Sequence, residues 1–131
     1  MTTSNTPLPS NSHFISLEQA ISMTSSYRAN RETIVATEYR GQDILPLSET
    51  FNRQAFDQLL ATPDCAGLRI YFGMDENLKI HAVIVAVNAL NQDILPLSNN
   101  GSVSSGTDDV VLLEEGQRCP PICPEDSPLN S

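Results

Sequence analysis

Positive charge is scarce in this chain: seven Lys and Arg side chains stand against sixteen Asp and Glu, a net charge of −9. Such a surface repels a phosphate backbone rather than releasing its counterions, so neither nucleic acid nor an anionic membrane is an expected partner. Long apolar runs are missing too. No segment reaches bilayer-spanning length, and the N-terminus has neither a basic nor an apolar signal region, which makes the cytoplasm the expected location. Cysteine is sparse: three thiols are too few for a disulfide scaffold, and their odd number leaves one over unless chains pair. Absent as well are a nucleophile elbow, a Gly-x-Gly-x-x-Gly turn and a P-loop. No catalytic residue is therefore assigned, and a non-enzymatic role is expected.

What the chain does contain is enough for one domain of ordinary size, since 131 residues can bury a core without metals or disulfides. The longest β-branched apolar run lies in residues 67–91, GLRIYFGMDENLKIHAVIVAVNALN, which reads as a central β-hairpin. In its first arm Leu68, Ile70 and Phe72 alternate with Arg69 and Tyr71, as in a strand with one buried and one wetter face. Its second arm is apolar on both faces, Ile80, Ala82, Ile84 and Ala86 against His81, Val83, Val85 and Val87, and belongs inside a sheet. The expected fold is α+β: a small antiparallel sheet of three to four strands around this hairpin, packed by two or three N-terminal helices.

The helices are signalled by their caps. Ser16 with Gln19 makes a capping box, and Leu17, Ala20, Ile21, Thr24 and Tyr27 come after it at helical spacing. A second helix is expected over 52–61, with Asn52 as N-cap, Phe51 and Phe56 as a hydrophobic staple, and Leu59 and Leu60 buried. Residues 30–41 carry both kinds of signal. Asn30, Glu32 and Gly41 suit a helix, which is the preferred reading, whereas Thr33, Ile34, Val35 and Thr37 suit a strand. The words QDILPLS at 42–48 recur at 92–98, and at the same offset Ile34-Val35-Ala36 matches Ile84-Val85-Ala86. Ile94 and Leu95 are expected to form a third strand and residues 110–113 a fourth, at the edge. Residues 1–12 are expected to be disordered, 99–109 a mobile Gly/Ser-rich loop inside a single domain over 13–117, and 118–131 an extended Pro/Cys tail dispensable for folding.

The most distinctive chemistry is Cys119-Pro-Pro-Ile-Cys123 in that tail. Paired thiols can ligate zinc, form a local disulfide or exchange with other thiols, although the spacing is not Cys-x-x-Cys. A tetrahedral zinc site would need Cys65 and His81 to join Cys119 and Cys123; otherwise no cofactor is expected. The plainer alternative makes Cys65 a small buried hydrophobe, leaves Cys119 and Cys123 reduced, and packs His81 with one ring nitrogen satisfied. The acidic pairs Asp75-Glu76, Asp108-Asp109 and Glu114-Glu115 fall in turns or at strand ends, where solvation is the usual fate.

At HFISLEQAISMTSSYR, SETFNRQAFDQLL, CAGLRIYFGM and GQRCPPICP the chain resembles small bacterial proteins of the Bacteroidota type that carry a Cys-Pro-Pro-x-Cys-Pro tail. That resemblance implies no activity and carries over no binding residue. Four functions compete: an interaction or accessory protein that presents the tail to a protein partner, a thiol-redox or zinc protein using Cys119, Cys123 and Cys65, an enzyme acting in a pocket between the helices and the sheet, which no catalytic constellation supports, or a C-terminal substrate for modification with the domain as its recognition leader.

Overall fold

The computed structural model describes residues 7–10, 12–96 and 111–130. The expected loop at 99–109, Val110 and most of the expected N-terminal tail lie outside them. Among the described residues the structure is mixed α/β, with two α-helices and two small antiparallel sheets of two and three strands. It divides into two compact units: Met1–Ser10, Phe51–Phe72 and Ala82–Gly116 form one, and Asn11–Thr50, Gly73–His81 and Gln117–Ser131 the other.

The first unit holds the hydrophobic core. Helix α2, Arg53–Leu60, starts where Asn52 accepts a 2.8 Å hydrogen bond from the Ala55 amide, and the Phe51 and Phe56 rings meet at 5.9 Å to close the staple. Leu59 is buried with Ile84 and Ala86, and Phe51, Phe56, Cys65, Leu68, Ile94, Val111 and Leu113 pack around them. Strands β2 (Gly67–Met74), β3 (Ile80–Val87) and β4 (Asp93–Ile94) form the three-stranded sheet in that order. The expected hairpin is present, and Ile84 through Val87 are buried on both faces, as an interior strand requires. Arg69 and Tyr71 of β2 both reach Asp93 of β4, which accounts for the wetter face.

The opposite face of β2 departs from expectation: Leu68 packs on the core, but Ile70 is 55% and Phe72 78% exposed. An eight-residue helix is only about 12 Å long, so α2 covers the Leu68 end and no more. Leu60 is likewise exposed rather than buried. The expected fourth strand is a single antiparallel bridge, in which Leu113 exchanges both backbone hydrogen bonds with Ile84 at 2.9 Å. Because β4 is two residues long, Leu113 supplies the next partner along that edge of β3. Leu8, in the stretch expected to be disordered, donates its amide to the Ala89 carbonyl at 3.1 Å.

The second unit begins with α1, Leu17–Asn30, whose capping box is closed by hydrogen bonds of 3.0 Å in both directions between Ser16 and Gln19. A further helix over 30–41 is not formed. Asn30 ends α1 instead of capping a new helix, and turns lead to one 3-10 turn at Thr37–Tyr39. Side chains close this stretch: Arg40 donates to the Thr33 and Val35 carbonyls, and Glu32 accepts from the Gly41 amide at 2.7 Å. The repeated words do not share one structure over their described residues: Asp93–Ile94 is strand, whereas Asp43 and Ile44 are not. Ile84-Val85-Ala86 is buried strand, whereas Ile34-Val35-Ala36 lies in a turn with Ile34 exposed.

Candidate functional site

Residues Ser48–Thr50 form β1 and Gln117–Cys119 form β5, paired antiparallel with Ser48 opposite Cys119, Glu49 opposite Arg118 and Thr50 opposite Gln117. The start of the expected extended tail is thus a strand, lengthened by a 2.7 Å hydrogen bond from the Leu47 amide to the Cys119 carbonyl. Side chains alternate across a strand, so this ribbon has two faces with different chemistry.

One face carries Glu49 and Arg118, both nearly buried. Arg118 donates from Nε to the Ile80 carbonyl at 3.0 Å, and from Nη2 to the Asp43 and Ile44 carbonyls at 2.9 and 2.8 Å. One guanidinium therefore ties β5 to the start of β3 and to the loop at Asp43 and Ile44. Its Nη1 is buried and has no hydrogen-bond acceptor among the described residues; Glu49 stands opposite it in register. His81 stands beside them, with Nδ1 3.9 Å from Glu49 Oε2 and Nε2 2.7 Å from Asp75 Oδ2. Asp75 Oδ1 also accepts from the Asn77 and Lys79 amides at 2.8 and 3.0 Å. The hydrogen bond from His81, and after it these amides, hold the Asp75 carboxyl below the ordinary aspartate value. Both ring nitrogens of His81 face carboxylates, an arrangement that orients the imidazole rather than aiming it at a substrate.

The other face carries Ser48, Thr50 and Cys119, which with Thr24, Tyr27 and Arg28 of α1 enclose a cavity of about 320 Å³. Leu47 and the C-terminal segment, through Pro124, Ser127, Leu129 and Asn130, complete its wall. That segment is a folded turn: Ser127 and Asn130 exchange hydrogen bonds, and the Asn130 amide group donates to the Glu125 carbonyl at 3.0 Å. Arg28 fastens it to α1 through a 2.6 Å hydrogen bond to the Leu129 carbonyl. Tyr27 donates to the Pro46 carbonyl at 2.6 Å, and burial raises its phenol above the ordinary tyrosine value.

Of the four residues considered for zinc, the structure joins two. Cys119 and Cys123 form a disulfide with Cα atoms 4.6 Å apart, and sulfurs so bonded are not thiolate ligands. Cys65 is a free thiol in the first unit, half-buried at the edge of the core and bonded to the Gly67 carbonyl at 3.4 Å. His81 belongs with Asp75 and Glu49. Among the described residues no group of three or more His, Cys, Asp and Glu side chains is placed to hold a metal ion. Glu49, Asp75 and Arg118 carried no signal as a set, because the pairings that assemble them link distant parts of the chain. Comparison with family models, with curated proteins and with solved structures gave no match.

Proposed function

We propose that this chain is a non-enzymatic interaction protein and that its C-terminal segment is what a protein partner reads. The observation that carries this is Ile122, 57% exposed on a five-residue loop closed by the Cys119–Cys123 disulfide. The base of that loop is rigid: Cys119 is 3% exposed, Arg118 grips three carbonyls, and the Ile122 amide donates back to the Arg118 carbonyl at 3.0 Å. An apolar side chain held out on a pre-ordered loop binds at little entropic cost, the usual condition for an interface anchor. Exposed Glu125 and Asp126 follow it in the chain, so the partner offers an apolar socket with basic side chains on that side.

The test is affinity capture with the immobilised full chain, its Ile122→Asp variant and a Glu125→Lys/Asp126→Lys variant. A partner captured by the parent chain should be lost with Ile122→Asp and weakened with the charge reversal, while circular dichroism shows both variants folded. Capture that ignores both changes would remove the segment as the recognition element.

A further inference from the structure

The two sulfurs of the disulfide differ in access. Cys119 sits in β5, 3% exposed, its one open side the cavity it lines, whereas Cys123 lies in the exposed stretch beyond it. A thiolate attacks a disulfide along the S–S axis and must reach the sulfur it bonds. We infer that Cys123 is a site of S-thiolation by low-molecular-weight thiols, and that the resulting release of Cys119 loosens residues 124–130 from α1.

The exchange balances without any further oxidant. The thiolate of RSH bonds to the Cys123 sulfur, the Cys119–Cys123 bond breaks, and Cys119 leaves as a thiolate that takes the proton RSH gave up. One S–S bond forms as one is lost, and the product is Cys123–S–S–R with Cys119 as a thiol. A second RSH, attacking the sulfur of R in the mixed disulfide, yields RSSR and leaves both protein cysteines reduced.

The loosening arises from how the segment is held. Upstream of the bridge, residues 117–119 are fixed by strand pairing and by Arg118. Downstream, the hydrogen bond from Arg28 to the Leu129 carbonyl ties residues 124–130 to α1. The cross-link shortens the free chain between these two anchors, so opening it lowers the local concentration of Leu129 at Arg28. A bridge of this kind is permanent in an oxidising compartment and transient in a reducing one, where thiolation would cycle it. This deepens the interaction reading by giving its recognition segment a control, and rests on that reading only for what the partner senses.

The experiment needs no partner. The full-length oxidised chain is treated with glutathione, mapped by peptide mass spectrometry, and monitored by hydrogen exchange beside a Cys119→Ala/Cys123→Ala chain. The adduct should lie on Cys123, and residues 124–130 should exchange roughly tenfold faster in both the adduct and the double variant, with α2 and β3 unchanged. An adduct on Cys119, no adduct at all, or unaltered exchange of 124–130 in the double variant would overturn the inference, whether or not a partner reads Ile122.

Discussion

Glu49 and Arg118 stand directly opposite each other on the β1–β5 ribbon, an anion and a cation taken out of water together on one face of two three-residue strands. So short a ribbon has little ladder of its own, and Arg118 supplies what the strands cannot by collecting carbonyls from Asp43, Ile44 and Ile80. Replacing Arg118 by Met should cost about 3–5 kcal/mol, because it leaves three carbonyls without their donor and takes the facing cation away from nearly buried Glu49. Urea unfolding measures this, and the double variant with Glu49→Leu should recover part of the loss.

Truncation separates the Arg118 anchor from the residues beyond it. Ending the chain after Gln117 removes Arg118 and most of β5, and should destabilise by a similar ~3–5 kcal/mol. Ending it after Pro124 keeps Arg118 and the disulfide and gives up the Arg28–Leu129 hydrogen bond, worth about 1 kcal/mol. Equal midpoints for the full chain and the Gln117 truncation would return 118–131 to a dispensable tail.

Much of the local structure was legible in the sequence, and most of the site was not. The capping box at Ser16 and Gln19, the Asn52 cap with its phenylalanine staple, and the both-faces-apolar pattern of β3 are written within a few residues of where they act. His81 also matches the packed reading, with Nε2 satisfied by Asp75. The β1–β5 pairing instead joins residues about seventy positions apart, and neither strand shows the alternation or length that marks one. Arg118 reads as the first residue of a proline-rich tail until β5 is seen against β1, and Asp75 reads as a solvated turn residue until His81 is placed on it. The strand preference of 33–37 and the caps at 30–41 cancel, and the stretch forms neither α-helix nor strand, only the 3-10 turn at Thr37–Tyr39.

Ile84 is the test of the first unit's core. It is 3% exposed, packs with Leu59 and Ala86 and bridges to Leu113, so Ile84→Ala should cost about 2–5 kcal/mol in urea unfolding. A loss under about 1 kcal/mol would take Ile84 out of the core.

Acid should weaken the second unit through Asp75. Its folded-state carboxyl titrates below the ordinary value of 3.8, so the stability it contributes is fully present above that value and is lost as pH falls through the lowered one. Asp75→Asn should flatten the pH dependence of the unfolding midpoint below about pH 4 while leaving its slope above about pH 5 unchanged. A profile unaltered in the acid range would separate His81 from Asp75.

The most direct measurement is a count of free thiols on the folded, air-oxidised chain. Alkylation without reductant and then peptide mass mapping should label Cys65 alone after unfolding, with Cys119 and Cys123 recovered in one cross-linked peptide and labelled only after reduction. Labelling of Cys119 and Cys123 without reductant would contradict the closed loop on which the presentation of Ile122 depends.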